Sequence, residues 1–363
     1  CALPISKRVL SIGVIGIGVV GGELLNQIQQ NVEKNSDQFN CDIHIKAIGA
    51  SKNMLLSDKP IDLNDWRKKM DSCNTDFDLN DFVEHIRQFN KNGHTLIIDC
   101  TSSKIVSSNY DDWIKGGINI ITPNKKALSA KQDYYDNIKA ASRVTGVHCL
   151  YETTVAAGLP VIASVRSLIE TGDIIYSIEG IFSGTLAYLF NVYDGSKPFS
   201  QIVREAKENG YTEPDPRDDL TGMDVARKLT ILGREAGRKI EIENFEIESL
   251  VPEELNDIDA DQFLEKLEEY DSDMQKRFDL AKANSMSLRY VASLDVDGNV
   301  FIGLKEYPQD HGFCNIQLTD NIIQIQSMRY SSNPIIIQGP GAGPEVTAAG
   351  IFADIVNLIK YTN

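Results

Sequence analysis

The 363-residue sequence predicts an α/β domain built on a mostly parallel sheet, followed by an α+β domain. Three observations carry that prediction. Short β-branched runs alternate with helical periodicity through the first part of the chain. Strands and helices then come in separate runs. Finally, a Gly-rich turn near the end precedes one last helix.

The first region offers strands at Val9–Ile15, Ile43–Gly49, Thr95–Asp99, Ile118–Thr122 and Val147–Tyr151. Leu25, Ile28 and Val32 recur at helical spacing between the first two, and Leu128, Tyr135 and Ile138 recur more loosely before the last. Such alternation implies right-handed βαβ units. The polar segment Glu33–Phe39 reads as an extension of the first helix or as its loop. The second region opens with a helix at Pro160–Glu170, proline occupying its first turn. A strand follows at Asp173–Ser183, then helices at Thr185–Tyr193 and Phe199–Asn209. Late strands are expected at Ser287–Val296, Asn299–Tyr307 and Asn321–Ser327. The acidic Glu253–Asp273 stretch reads as a surface helix with its flanks. The turn GPGAG (Gly339–Gly343) leads into a helix from about Val346 to Lys360. Domain limits are therefore placed at 1–158, completed by 339–363, and at 159–338.

Net charge is −16, which excludes the basic faces that nonspecific nucleic-acid or anionic-membrane binding requires. The most apolar early run, VLSIGVIGIGVVGG, is too short and Gly-rich to span a bilayer, and CALPISKRV has no signal-peptide pattern. The start at Cys1 reads as processed or trimmed. Six scattered cysteines without a CxxC pair point to reduced thiols and a cytoplasmic setting. Cys41 and His44 have ligand-like spacing, but no second pair completes a zinc site.

Gly16-Ile17-Gly18-Val19-Val20-Gly21 is a GxGxxG between an apolar strand and a periodic helix. In that context the first glycine permits the turn, the second admits a pyrophosphate and the third lets helix and strand pack closely. Free N–H groups of the helix then face the phosphates. These residues predict a Rossmann dinucleotide site. The second strand ends in Gly49-Ala50-Ser51-Lys52 with no acid. A hydroxyl and a cation there fit a 2′-phosphate, so NADP is favoured over NAD. Asp37 and Asp42 precede that strand and belong to its other end.

The stretch GYTEPDPRDDLTGMDVARK (Gly210–Lys228) concentrates Glu213, Asp215, Asp218, Asp219 and Asp224 before one helix. Thr221 or Asp219 can cap that helix. Val225, Leu229, Leu232 and Ala236 form its buried stripe, with Asp224, Lys228 and Ile231 on the neighbouring one. Lys228 thus falls at the rim of the buried face, where a proton donor can be tuned. On spacing alone the pair also reads as a surface Asp–Lys bridge. Pro214 and Pro216 stiffen the loop and display its carboxylates, which suits a cationic ligand such as an ammonium.

Along essentially its whole length the chain resembles homoserine dehydrogenase. The resemblance rests on the Gly210–Lys228 stretch, VIGIGVVGGELL, IIDCTSS (Ile97–Ser103), TPNKKA (Thr122–Ala127), AAGLPVI (Ala156–Ile162), GIFSGTLAYLF (Gly180–Phe190) and GPGAGPEVTAAG (Gly339–Gly350). It is most like the dehydrogenase portion of fused aspartate kinase–homoserine dehydrogenases, without a kinase or regulatory module. The resemblance implies NAD(P)H-dependent reduction of L-aspartate 4-semialdehyde to L-homoserine, on the route to threonine and methionine. It implies a Rossmann domain closed by the C-terminal helix, a catalytic and dimerisation domain, and a homodimer.

The resemblance also implies roles for individual residues. Lys228 donates the proton, and Lys125 is the rival lysine. Glu213 holds the substrate ammonium, Asp219 and Asp224 orient its polar end, and Tyr211, Gly184 and Thr185 line the site. Thr101, Ser102 and Lys125 contact the cofactor near the nicotinamide, and Gly343 approaches it. A sodium-like cation is implied at the Glu152 side chain and the carbonyls of Val155, Ala157 and Leu159, oxygens suited to a hard ion. Two departures stand out: Ala187 where Asn or Ser is frequent, and Ala156 where Gly is usual. Other readings are a dehydrogenase of another amino acid or semialdehyde, and a non-catalytic nucleotide-sensing Rossmann protein.

Overall fold

The structure, a computed structural model, describes residues 7–91 and 94–362. The chain start, with Cys1, lies outside the described residues. The chain divides into two compact units, one of Cys1–Gly158 with Gly343–Asn363 and one of Leu159–Ala342.

The first unit holds a six-stranded sheet of β1 (Arg8–Ile15), β2 (Cys41–Gly49), β3 (Met54–Leu56), β4 (His94–Asp99), β5 (Asn119–Ile121) and β6 (Cys149–Leu150). Their order is β3-β2-β1-β4-β5-β6. All pairings are parallel except β2–β3, which is antiparallel. β1 is central, and its last six residues are buried, as a strand covered on both faces requires. The polar segment 33–39 is helical: one helix runs from Val19 to Phe39. The final helix, Pro344–Tyr361, returns to this unit. Its Ile351, Ile355 and Leu358 join Leu24, Leu25 and Ile28 in one buried cluster with β1 and β2. Each such side chain contributes about 1.5–3 kcal/mol by leaving water.

The second unit is a five-stranded antiparallel sheet of β7 (Ile175–Ile181), β8 (Met286–Asp295), β9 (Val300–Pro308), β10 (Asp320–Ser327) and β11 (Ile335–Pro340), in the order β11-β10-β7-β8-β9. Helices Val161–Glu170, Gly184–Val192, Phe199–Glu208 and Met223–Glu235 accompany it.

Several expectations change. Strands β3 and β11 were not predicted. β3 has only three residues, and β11 is an edge strand whose residues are half-buried or exposed, so neither shows a strong pattern. Gly339 and Pro340 therefore finish β11 and do not follow it. The acidic stretch is not one helix. It contains a helix at Ala260–Lys266, a tight turn at Leu267–Tyr270 and a second helix running on to Ala283. Helix Val161–Glu170 begins one residue after Pro160. Among the described residues no helix is long and apolar enough to cross a membrane, and five cysteines are free thiols.

Candidate functional site

The phosphate turn follows β1. Gly16 has φ +89°, a backbone that favours glycine. A Cβ on Gly21 would stand 2.0 Å from the Gly16 carbonyl oxygen, so helix and strand touch only because that residue is glycine. A Cβ on Gly18 would meet nothing within 4 Å. Gly18 is also the N-cap of helix Val19–Phe39, with no side-chain cap bond. Val19 is exposed. The turn therefore presents open backbone where a phosphate can approach.

At the end of β2, a cleft of about 510 Å³ is lined by Ile17, Ala50, Lys52, Asn53, Met70 and Cys73 among others. Ser51 is exposed and is not among the lining residues. Asp71 and Asp76 also line the cleft, from a segment the sequence did not connect with it. Asp42 is the second residue of β2, and Asp37 pairs with Lys7 near the far end of the long helix.

Thr101 and Ser102 follow β4, and Lys125 opens the short helix Lys125–Leu128 after β5. Both loops are tied to Asp99, the fully buried last residue of β4. Its Oδ1 accepts from the Thr101 N–H (2.8 Å) and hydroxyl (2.6 Å); its Oδ2 accepts from the Tyr110 hydroxyl (2.6 Å) and Asn124 Nδ2 (3.0 Å). Burial pushes this carboxyl above its ordinary range, and the donors oppose the shift. Gly343 has φ +125° and is the N-cap of the last helix.

The cation turn contains two successive non-glycine residues in the left-handed region, Ala156 (φ 55°) and Ala157 (φ 50°). Each costs about 1–2 kcal/mol. Such backbone persists where its surroundings impose it, and carbonyls gathered on a cation are one such constraint. Carbonyl and carboxylate oxygens are the donor types a hard monovalent ion takes. Ala156 and Ala157 are buried, as is Val155. Ala187 is buried in an apolar cluster with Ile181 and Val291, a setting that suits an apolar side chain.

In the second unit, Lys228 lies on helix Met223–Glu235 and is 8% exposed. It is therefore a buried lysine, not a surface partner. Its Nζ donates to the Phe182 carbonyl at 2.7 Å and pairs with Asp224 Oδ2 at 2.8 Å. An ammonium has three hydrogens, so one remains for a further acceptor. Buried Asn321 also donates to the Phe182 carbonyl, at 3.1 Å. Neither Phe182 nor Asn321 was singled out from sequence. Backbone carbonyls leave no residue-type signal, and Asn321 lies 93 positions from Lys228. The predicted caps are also corrected. The N-cap is Gly222, at φ 71° with no side-chain bond, because Arg217–Leu220 forms a short helix of its own first. A Cβ on Gly222 would lie 2.1 Å from the Tyr290 hydroxyl.

The loop before it closes on Asp219. Asp219 Oδ2 accepts the Glu213 N–H at 2.8 Å, and Oδ1 meets the Thr185 hydroxyl at 2.9 Å. The Tyr211 carbonyl lies 2.7 Å from the same Thr185 hydroxyl and competes with Asp219 for its single hydrogen, and Gly184 and Thr185 open their helix behind the Ser183 cap. The Tyr211 ring packs on Tyr188, with centroids 4.5 Å apart. The Glu213 side chain is exposed. Asp215 pairs with Arg217 at 2.6 Å, and Arg217 reaches the carbonyls of Leu255, Asn256 and Ile258. The structure thus brings Lys228 to Asp224, Asp219 to Glu213 and Thr185, and Thr185 to the Tyr211 carbonyl.

Residues 16–152 match the family description "Homoserine dehydrogenase, NAD binding domain", and residues 160–356 match "Homoserine dehydrogenase". A Schizosaccharomyces pombe homoserine dehydrogenase is 39% identical over 365 residues, covering 98% of this chain and 96% of that protein. The chain belongs to the homoserine dehydrogenase family. This is a family of NAD(P)-dependent oxidoreductases acting on CH–OH groups. A chloroplastic bifunctional aspartokinase/homoserine dehydrogenase of Zea mays is 45% identical over 359 residues, or 98% of this chain; the chain spans 39% of that relative's length. The fold is shared with a Candida auris protein of unknown function (TM-score 0.90, 36% identity, 97% of this chain and 99% of that one). It is also shared with a hyperthermophilic archaeal homoserine dehydrogenase solved with NADPH (TM-score 0.72, 20% identity, 96% and 97%).

One electrostatic consequence is testable. Burial raises the Asp219 carboxyl to about 6, with the charges of Glu213 and Asp224 adding to the shift. A carboxyl raised in the folded state favours folding when protonated. Its contribution is therefore fully present below the ordinary value near 4 and falls away as pH rises to about 6. We expect the wild-type unfolding free energy, relative to Asp219→Asn, to fall between about pH 4 and 6 and to be flat above. A difference constant across that window would remove the buried-carboxyl account.

Proposed function

We propose that the protein is a homoserine dehydrogenase that reduces L-aspartate 4-semialdehyde to L-homoserine with NADPH, reversibly, on the route to threonine and methionine. The observation that carries the reading is the buried ammonium of Lys228, fixed by Asp224 and the Phe182 carbonyl with one hydrogen to spare. The bound nicotinamide supplies the hydride. Lys228 gives its third hydrogen bond to the aldehyde oxygen, steadies the developing alkoxide and delivers the proton. Glu213 offers an exposed carboxylate to the substrate ammonium, and Asp219 holds the Glu213 backbone in place. Asp224 orients the lysine, and Tyr211, Gly184 and Thr185 line the substrate's polar end. Lys125, Thr101 and Ser102 serve the nicotinamide end, with Gly343. The turn from Gly16 to Gly21 serves the pyrophosphate.

NADP is favoured because Lys52 lines the cleft at the end of β2 and the strand itself ends without an acid, the acids of that cleft, Asp71 and Asp76, coming from another segment. The reading extends to a monovalent cation, sodium by chemistry, at Glu152, Val155, Ala157 and Leu159, supported by the strained alanine pair. A homodimer is supported by one sheet face, where Ile336, Gln324, Glu179, Ser293 and Phe301 form a cross-strand row with exposed apolar ends. The free thiols suit a reducing compartment such as the cytoplasm.

The main test follows NADPH absorbance with aspartate semialdehyde. Lys228→Ala is expected to lower turnover about 10²–10⁴-fold, the range of a general acid. An unchanged rate would sink its role, and no wild-type turnover with NADPH or NADH would sink the assignment. Lys52→Ala is expected to raise KM for NADPH about tenfold while leaving KM for NADH alone, the effect of losing one phosphate contact of about 1.4 kcal/mol. Equal changes for both cofactors would contradict a 2′-phosphate role. Sedimentation showing a monomer at micromolar concentration would remove the dimer. A melting temperature indifferent to replacement of sodium by choline would remove the cation.

A further inference from the structure

Asp99 is a buried anion that the chemistry above does not use. Four donors converge on its two oxygens, and a carboxylate offers about four lone-pair sites, so the group is saturated. The donors come from three places: the loop after β4 (Thr101), the loop after β5 (Asn124) and the helix between those strands (Tyr110). Asn124 commits both amide hydrogens and its oxygen to the same task. Its amide donates to Asp99 and to the Ser103 carbonyl, and its oxygen caps Lys126 N–H at the start of the helix that carries Lys125. Thr122 adds a bond from its hydroxyl to the Asp99 carbonyl at 2.8 Å. The Thr101 methyl lies where a Cβ on Gly16 would stand only 2.7 Å away, so the hub also sets the loop against the phosphate turn.

A dinucleotide binds across the point where the strand order reverses, here between β1 and β4, with its two halves over the two halves of the sheet. The phosphate turn and the β2 cleft lie on one side. The loops tied to Asp99 lie on the other, at the ends of β4 and β5. We infer that Asp99 is a positioning residue for the nicotinamide half of the cofactor: through Thr101, Tyr110 and Asn124 it fixes the two loops that carry Thr101, Ser102 and Lys125. It touches no ligand itself. The inference rests on the dinucleotide-binding reading proposed above.

Asp99→Asn keeps the shape and removes the charge. One carboxylate oxygen becomes an NH₂ that faces donors. The experiment compares equilibrium binding of the whole dinucleotide, NADPH, with that of 2′,5′-ADP, which reaches only the adenosine side. If the wild type prefers NADH, that cofactor and 5′-AMP replace them. Asp99→Asn is expected to weaken dinucleotide binding roughly tenfold to a hundredfold, the size of a buried pair turned donor against donor, with the half-molecule changed less than about threefold. Tyr110→Phe, which removes one donor and keeps the ring, should give a smaller loss of the same selectivity; it also reports if Asp99→Asn fails to fold. The exchange Asp99→Asn with Asn124→Asp restores one donor–acceptor pair and should recover part of the dinucleotide affinity. Equal weakening of both molecules, or no weakening of either, would overturn the positioning role. A wild type that binds neither molecule would overturn the dinucleotide reading itself.

Discussion

Much of the second unit is organised around one buried ammonium. A lysine charge removed from water costs several kcal/mol unless it is paired and hydrogen-bonded. Here the partners come from two directions. Asp224 is one helical turn earlier on the same helix, and the Phe182 carbonyl comes from the end of β7. The carbonyl is itself held by Asn321 from β10, next to β7 in the sheet. The helix must then start where Asp224 and Lys228 fall on that side. Gly222 achieves this by turning through a left-handed conformation with no room for a side chain.

Periodicity revealed most of the fold because the strongest elements are also the most buried. β1 and β4 are largely apolar runs, β2 alternates apolar and polar residues, and the first and last helices carry a buried apolar stripe. Short edge strands such as β3 and β11 escape because they bury too little to leave a pattern. Of the site, the phosphate turn was legible because Gly16 and Gly21 answer backbone demands that only glycine meets, a positive φ and a close helix–strand approach, with Gly18 between them at the spacing of the motif. The Asp224–Lys228 spacing was legible as a pair, but its burial was not. Burial depends on Phe182 and Asn321, whose proximity exists only after the sheet has formed. The helix cap was misplaced for a similar reason. Thr221 and Asp219 are good capping residues, yet Asp219 is engaged with Glu213 and Thr185.

The two units stabilise buried charge by different means. Lys228 has a formal counter-ion and keeps one hydrogen uncommitted, the state that the proposed proton donor needs. Asp99 has no cation among the partners that shift its carboxyl, and its lone pairs are filled by neutral donors, as a group that only holds geometry requires. The number of uncommitted valences distinguishes the two groups more sharply than burial does, since both are buried.

The acidic loop completes this logic. Asp219 is driven up mainly by burial, and the nearby charges of Glu213 and Asp224 add to the shift. Asp215 is excepted because Arg217 neutralises it and anchors that side of the loop to three carbonyls. Arg217 therefore stiffens the loop without cancelling the charge of Glu213. Crowded carboxylates on a backbone fixed by two prolines are unfavourable in themselves, and a bound cation relieves them. An ammonium meeting Glu213 supplies that charge where the backbone already holds the carboxylate. Under the proposed reading, a cationic ligand at Glu213 would relieve that crowding, so the loop would favour an amino acid over an uncharged aldehyde of the same length.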